Sequence, residues 1–248
     1  MGARVRAGAV VGLVAMAMLV GWPTRAGAQA ANPDPARFES EIAAFAAWDS
    51  KNSPPSNAIL FVGSSSIRMW PTADRFPELD VINRGFGGSQ IPDVNHYFDQ
   101  VVRPYDAPVI VFYAGDNDIN AGRTPQQVLD DYREFVSKAV ANRGDVQIVY
   151  VPIKPSLARW SQWATMQDAN QRVRDYSRGY TASADGRGVP GRARLYYADI
   201  APPMLGADGK PRPELFVEDG LHMTSLGYDI WTDVVGRTIH AALESVAK

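Results

Sequence analysis

The stretch Ile59-Leu60-Phe61-Val62-Gly63-Ser64-Ser65-Ser66 decides the fold of this chain. Its four leading apolar residues lack polar alternation, which predicts a strand buried on both faces of a parallel sheet. Gly63 permits a tight turn after the strand, and the serines predict the first turn of a helix. Open α/β sheets bind ligands at this edge, where a serine stands exposed. The stretch therefore predicts an α/β protein with a serine nucleophile, although serines at this position also serve merely as helix caps.

Short apolar runs bounded by turn residues predict five strands, and helical patterns lie between them. The runs occupy Ala58–Val62, Asp80–Asn83, Pro108–Tyr113, Val146–Val151 and Arg194–Tyr197. The clearest helix is Thr124–Asn142, whose apolar face consists of Val128, Leu129, Tyr132, Phe135, Val136 and Ala139. Because strands and helices alternate, we predict a three-layer α/β/α fold with a flavodoxin-like five-stranded parallel sheet.

Two further helices are predicted at the ends of this pattern. The first has Phe38, Ile42, Phe45 and Trp48 at helical spacing. The last spans Ser225–Val246, and the residues expected to face the sheet are Leu226, Ile230, Val234, Ile239 and Leu243. Glycine and small polar residues in Arg178–Gly191, and prolines in Ala201–Pro213, predict loops in these two segments.

The N-terminus has the layout of a cleavable secretory signal. Two arginines precede an uncharged run from Ala7 to Trp22, and small residues follow around Ala28. An uncleaved membrane anchor is the alternative, but the run contains three glycines and is shorter than the roughly 20 residues that a spanning helix needs. We therefore predict a signal peptide at residues 1–30, a linker and helix at 31–57, a catalytic domain at 58–248, and a secreted or periplasmic location.

Composition excludes several classes of function. The 25 basic and 27 acidic residues leave a net charge of -2, so neither a nucleic-acid-binding stripe nor a membrane-surface patch is predicted. No stable membrane insertion is expected once the signal is cleaved. The absence of cysteine excludes disulfides, thiolate zinc sites, a cysteine nucleophile and a lipidated cysteine anchor.

A serine nucleophile at neutral pH needs a general base, and the chain has three histidines. His222 follows Asp219 at a spacing of three, which lets the carboxylate orient the imidazole. The alternative is a capping aspartate beside a surface histidine. His240 lies inside the last helix and is assigned to packing or the surface, and His96 is assigned to a helix-start pair with Asp93. His222 is therefore the candidate base.

Four short blocks extend this assignment: Gly63-Ser64-Ser65, Gly85-Phe86-Gly87-Gly88, Gly115-Asp116-Asn117-Asp118 and Asp219-Gly220-Leu221-His222. In order and spacing they resemble the SGNH/GDSL hydrolase superfamily, over roughly residues 58–235. The resemblance implies the SGNH hydrolase fold and hydrolysis of carboxylic esters, with no cofactor and no metal. One residue departs from the family pattern, because Ser64 stands where the family usually has aspartate.

The resemblance implies a role for each matching residue. Ser65 is the nucleophile, His222 the base and Asp219 the orienting acid. The backbone N–H groups of Ser65 and Gly88 and the side-chain amide of Asn117 form the oxyanion hole. Alternatives stay open for two blocks, since Gly88 also suits a simple turn, and Asn117 between two aspartates also suits a solvated loop or a divalent cation site.

The segment after the fourth strand suggests substrate contacts at the same edge of the sheet. Arg159 and Trp160 supply a cation and an indole there, which suit sugar or acyl-chain contacts, although Trp160 also suits packing against Trp163. We predict an exported esterase acting on short-chain or acetyl esters of small molecules or carbohydrates. The alternatives are a lysophospholipase or thioesterase, a non-catalytic carbohydrate-binding relative, and a flavodoxin-like nucleotide or flavin binder.

Overall fold

A computed structural model describes residues 1–2, 34–180 and 193–246 of the chain. The described part contains five strands, all parallel, in the order β2-β1-β3-β4-β5. The strands are β1 Ile59–Gly63, β2 Val81–Gly85, β3 Val109–Tyr113, β4 Gln147–Tyr150 and β5 Arg194–Tyr197. The predicted α/β fold with a five-stranded parallel sheet is confirmed.

Helices cover both faces of the sheet. They are α1 Glu39–Asp49, α2 Ser65–Arg68, α3 Thr72–Arg75, α4 Ile91–His96, α5 Phe98–Val101, α6 Asp116–Asn120, α7 Pro125–Asn142, α8 Trp163–Gly179, α9 Ala201–Met204 and α10 Ser225–Val246. Because successive strand side chains point to opposite faces, Leu60 and Val62 pack with α1, α4, α5, α7 and α8, whereas Ile59 and Phe61 pack with α2, α9 and α10. The sheet is therefore the middle of three layers.

Helix α7 confirms the sequence prediction in bounds and in face. Thr124 caps it, since its hydroxyl accepts from the Gln127 N–H while the Gln127 side chain accepts from the Thr124 N–H. All six residues of the predicted apolar face are buried. The hydrophobic periodicity was sufficient to predict α7 because this helix packs one apolar face on the sheet and exposes the opposite, polar face to solvent.

The bounds of α10 are as predicted, but of the five residues expected to face the sheet only Ile239 is fully buried. Leu226 is 54% exposed, and Ile230, Val234 and Leu243 are only partly buried. The face that packs on the sheet instead contains Tyr228, Trp231, Val235, Ile239 and Ala242. The ring centroids of Tyr228 and Trp231 lie 6.0 Å and 5.4 Å from that of Trp70. This large aromatic contact sets the rotation of α10 about its axis.

Two other predictions need correction. Ala201–Pro213 is not entirely loop, because it contains α9, where Pro202 occupies the first helical turn that tolerates proline. A bridge between Leu205 and Pro211 follows. Trp48 does not join the core of α1, since it is 49% exposed and lies under the Arg84 guanidinium.

Some predictions fall on residues outside the described ranges. These are most of the signal peptide and linker, and residues 181–191 of the predicted loop Arg178–Gly191. The first two residues of that predicted loop instead end α8. In the parts of the chain that the structure describes, no helix is both long and apolar enough to cross a membrane.

The N-terminal segment packs against the loop that follows β2. Phe38 is 4% exposed, and its ring meets Phe86 edge to face with centroids 4.9 Å apart. On the next turn, Glu41 accepts a hydrogen bond from the Gly87 N–H at 3.3 Å and pairs with Arg68 at 3.1 Å. Helix α1 therefore supports the segment that carries Gly88.

Candidate active site

The turn after β1 requires glycine. Gly63 has a φ of 139°, and a Cβ there would lie 1.8 Å from the carbonyl oxygen of Tyr113 in the neighbouring strand. The next N–H, that of Ser64, donates to this same carbonyl at 3.0 Å. The close approach ends the strand and leads the chain directly into α2, which begins at Ser65.

The three serines of this turn differ in exposure. Ser64 and Ser66 are each 2% exposed, whereas Ser65 is partly exposed. Helix α2 has only four residues, so its dipole contributes less to the site than a long helix would. Accessibility, rather than helix electrostatics, distinguishes Ser65.

Ser65, His222 and Asp219 are joined by hydrogen bonds. The Asp219 Oδ2 to His222 Nδ1 distance is 2.6 Å, and the His222 Nε2 to Ser65 Oγ distance is 3.0 Å. Since a carboxylate only accepts, the neutral imidazole donates from Nδ1 and leaves Nε2 to accept the Ser65 hydroxyl proton. This is the arrangement that activates a serine, with a base in reach and an acid that orients the base.

The loop before α10 holds the carboxylate in place. The backbone N–H groups of Leu221 and His222 donate to Asp219 Oδ1 at 2.8 Å and 2.9 Å. Burial on its own would raise the pKa of Asp219, but the hydrogen bonds from His222 and from these two N–H groups lower it to about 2. Asp219 is therefore ionised at neutral pH, as stabilisation of an imidazolium requires.

Gly88 and Asn117 follow the two strands that flank β1: Gly88 lies in the loop after β2, and Asn117 lies in α6 after β3. Gly63 pairs in register with Gly85 of β2 and with Tyr113 of β3, so the three segments leave the sheet side by side. Gly88 has a φ of 79°, and a Cβ there would meet no heavy atom within 4 Å, so its backbone is open to an approaching substrate. Asn117 Nδ2 donates to the Ser89 carbonyl at 3.0 Å.

A buried ion cluster underlies Asn117. Lys154 is 1% exposed, and its ammonium lies 3.0 Å from Asp116 and 3.1 Å from the Tyr113 hydroxyl. Arg159 donates to Asp116 as well, and to Asn117 Oδ1 at 3.1 Å. Burial would raise the pKa of Asp116, but the two cations outweigh it and lower that pKa. The sequence left open a divalent cation site at the aspartates beside Asn117. In the structure the charge of Asp116 is instead balanced by two cationic side chains, Lys154 and Arg159.

The other two histidines lie on the surface. His96 and His240 are both exposed, and the ring of His96 meets Tyr97 edge to face. The Asp93 carboxylate has other partners than His96, because it accepts from the Gln90 N–H at 2.8 Å and pairs with Arg37 at 2.5 Å. His222 is the histidine that the structure brings to the serine.

A family model matches residues 67–230 and is described as the GDSL-like Lipase/Acylhydrolase family. This chain belongs to that family. The match includes Gly88, Asn117, Asp219 and His222 but begins two residues after Ser65. No curated protein matches the chain.

Solved structures of GDSL-like hydrolases and esterases share the fold. A GDSL-like lipase from Bacteroides thetaiotaomicron is 20% identical, with a TM-score of 0.63 over 84% of this chain and 98% of that one. An acetyl esterase variant with an acetate ion is 17% identical, with a TM-score of 0.59 over 76% and 98% of the two chains. A carbohydrate esterase family 3 protein from Talaromyces cellulolyticus is 18% identical, with a TM-score of 0.58 over 75% and 98%.

The two residues predicted to contact substrate in this GDSL-like chain have different surroundings. The Arg159 side chain is 14% exposed, and its guanidinium donates to Asp116 and to Asn117. Trp160 stacks on Trp163 with centroids 5.9 Å apart, as the packing alternative describes. Trp160 also lines a cleft of about 320 Å³ together with Leu157, Pro211 and Pro213. Lys154, which sequence reasoning missed, carried one signal: it continues the apolar run Val151-Pro152-Ile153 after β4, and a buried lysine needs a buried counter-ion.

Asp118 ties two segments of the GDSL-like site together. It is 0% exposed, and its Oδ1 accepts from the Ile91 N–H at 3.1 Å, which joins α6 to the start of α4, just after the loop of Gly88. Arg123 lies 3.9 Å away. Burial raises the pKa of Asp118 from 3.8 to about 7.

This raised pKa predicts how stability depends on pH. Between about pH 4 and pH 7 the folded state binds the Asp118 proton more tightly than the unfolded state, so ionisation of Asp118 destabilises the fold as pH rises. Asp118→Asn cannot ionise, and we expect its unfolding free energy to improve relative to wild type by up to about 1.4 kcal/mol per pH unit in this window. Urea unfolding of both proteins at pH 5 and pH 8 measures the effect. If the difference in unfolding free energy between Asp118→Asn and wild type is the same at both pH values, the raised pKa of Asp118 is contradicted.

Proposed function

We propose that this chain is an exported serine esterase that hydrolyses acyl esters through Ser65, His222 and Asp219. One observation carries the proposal, namely the hydrogen bonds of 2.6 Å and 3.0 Å that run from Asp219 through His222 to the Ser65 hydroxyl. Nucleophile, base and orienting acid are within bonding reach of one another without any rearrangement. Membership of an acylhydrolase family supports the same reaction class.

In acylation, Ser65 Oγ forms a bond to the ester carbonyl carbon while its proton passes to His222 Nε2. The carbonyl π electrons move to the oxygen, which becomes an oxyanion. The donors for it are the N–H groups of Ser65 and Gly88 and the amide of Asn117, each contributing about 3 kcal/mol. When the oxyanion collapses, the C–O bond to the alcohol breaks and the alcohol leaves with the proton of His222.

Deacylation repeats these steps with water as the nucleophile. His222 takes one proton from water as the hydroxide oxygen bonds to the acyl carbon, and the same donors hold the second oxyanion. Its collapse breaks the bond to Ser65 Oγ, which regains the proton from His222. Asp219 stays ionised throughout and balances the charge of the imidazolium.

We propose short acyl groups, acetyl above all, on small-molecule or carbohydrate alcohols. An acetyl esterase and a carbohydrate esterase are among the solved proteins with this fold, which agrees with this substrate class. A longer-chain lipid or thioester acyl group is the second candidate, favoured by the cleft that Leu157, Trp160 and two prolines line.

A panel of esters tests the substrate class. Wild type and Ser65→Ala are compared on p-nitrophenyl esters of increasing acyl length and on acetylated oligosaccharides. We expect kcat/KM to be highest for acetate, and we expect Ser65→Ala to retain about 10⁻⁴ of the wild-type kcat or less. A preference for long chains selects the second candidate, and binding of oligosaccharide without turnover selects the non-catalytic alternative.

Export is proposed from the charged, apolar and small-residue layout of residues 1–30. Cell fractionation followed by N-terminal sequencing tests it. A chain outside the cytoplasm that begins near residue 30 agrees with the proposal, and full-length protein confined to the cytoplasm contradicts it.

Asp219→Asn is expected to lower kcat by about 10⁴-fold, because an amide of the same shape removes the charge and favours the wrong imidazole tautomer. Steady-state kinetics on p-nitrophenyl acetate measure the loss. Glu218→Gln is the matched control, since it changes an exposed acid of the same loop and is expected to keep kcat within about twofold. Equal losses in both variants contradict the role of Asp219.

A further inference from the structure

The Arg159 guanidinium joins Asp116 to the side chain of Asn117. One terminal nitrogen of Arg159 donates to an Asp116 oxygen, and the second terminal nitrogen donates to Asn117 Oδ1 at 3.1 Å. The nitrogen of the Asn117 amide, Nδ2, donates to the Ser89 carbonyl at 3.0 Å. Both ends of the Asn117 amide are therefore bound by the protein.

We propose that Arg159 is a positioning residue for ester hydrolysis, which fixes the orientation of the Asn117 amide so that its N–H groups serve the oxyanion. The proposal rests on the proposed function, in which Asn117 is an oxyanion donor. It replaces the predicted role of Arg159 as a cation in contact with substrate.

The two hydrogen bonds select one orientation of the amide. An amide carries an acceptor oxygen and a donor NH₂ group, and rotation by 180° exchanges them. In the exchanged orientation the NH₂ group of Asn117 would face the guanidinium, donor against donor, and its oxygen would face the Ser89 carbonyl, acceptor against acceptor. Because the exchanged orientation would replace two hydrogen bonds of this partly buried amide by two repulsive contacts, Arg159 holds the NH₂ group on the side of the Gly88-Ser89 loop. The NH₂ group has two hydrogens, so its bond to Ser89 does not exhaust its capacity to donate.

The guanidinium of Arg159 is itself held in place by a buried aspartate. Asp116 is 3% exposed and also pairs with Lys154, whose ammonium is held by the Tyr113 hydroxyl. These ion pairs fix the guanidinium of Arg159, so its hydrogen bond to Asn117 requires no reorganisation during the reaction.

A double-mutant cycle tests the coupling between Arg159 and Asn117. With p-nitrophenyl acetate, Asn117→Ala is expected to lower kcat by about 10²- to 10³-fold. Arg159→Met is expected to lower kcat by about tenfold or more with KM changed by less than about twofold, and to have no further effect in the Asn117→Ala background. An equal loss of kcat in both backgrounds overturns the proposal, as does a loss that appears chiefly in KM, which indicates substrate contact.

Two further variants keep the test decisive. Arg159→Lys keeps a charge beside Asp116 but lacks the planar fork that spans both residues, so its kcat is expected to fall between wild type and Arg159→Met. If urea unfolding shows that Arg159→Met does not fold, the cycle is run with Arg159→Lys and read by the same criteria. Arg174→Met, which breaks an ion pair with Asp199 outside the site, controls for loss of a surface arginine and is expected to leave kcat unchanged.

Failure of this proposal is distinguishable from failure of the proposed function. If Ser65→Ala retains wild-type esterase activity, the function itself is wrong. If Ser65→Ala is inactive while Arg159→Met and Asn117→Ala act independently, the function stands and the positioning role is wrong.

Discussion

Ser65→Ala is expected to lower kcat for p-nitrophenyl acetate by about 10⁴- to 10⁶-fold. The Ser65 hydroxyl is the atom that bonds to the acyl carbon, so its removal eliminates the covalent route and leaves only the oxyanion donors. The fold is expected to be unaffected, because the Ser65 side chain is partly exposed and its hydrogen bond to His222 Nε2 joins it to another partly exposed side chain. Steady-state kinetics and urea unfolding measure the two quantities.

The neighbouring serines are matched controls. Ser64→Ala and Ser66→Ala remove the same hydroxyl from buried positions on either side, and each is expected to keep kcat within about tenfold of wild type. If Ser64→Ala abolished activity while folded Ser65→Ala stayed active, the nucleophile would be one residue earlier, at the position where the family usually has aspartate.

Gly63→Ala is expected to reduce the free energy of unfolding by about 4 kcal/mol or more. The added Cβ would lie 1.8 Å from the Tyr113 carbonyl oxygen, and that carbonyl belongs to the central part of the sheet, so neither side can move cheaply. Urea unfolding measures the loss, and low yield of folded protein is the expected extreme result.

Gly209→Ala separates this clash from the general cost of a positive φ. Gly209 has a φ of 73°, but a Cβ there would meet no heavy atom within 4 Å. We expect it to cost about 1–2 kcal/mol, the usual penalty for alanine in left-handed backbone. If the two variants were equally destabilised, the contact between Gly63 and β3 would not be the cause.

The strands and the best amphipathic helix were predictable because burial on both faces, or on one face, leaves a direct pattern in the sequence. The register of the nucleophile was not predictable from the physical pattern alone, since three serines in a row satisfy it equally. The family pattern selected Ser65, and in the structure Ser65 is the serine within reach of His222.

The features that the sequence did not reveal depend on contacts between distant residues. The rotation of α10 is set by Tyr228 and Trp231 around Trp70, which lies far earlier in the chain. The pairing of Arg159 with Asn117 spans 42 positions, and no local periodicity encodes it. From the sequence, Arg159 therefore resembled a cation free to contact substrate. Its partners Asp116 and Asn117 are evident only in the folded protein.

Covalent labelling tests the central claim most directly. A fluorophosphonate reacts with an activated serine oxygen, and peptide mapping by mass spectrometry of the labelled full-length protein locates the adduct. We predict one adduct, on Ser65, that fails to form in Ser65→Ala and forms far more slowly in His222→Ala. An adduct on Ser64, Ser66 or any other serine, or full esterase activity in protein that the reagent does not label, would contradict the assignment of Ser65 as the nucleophile.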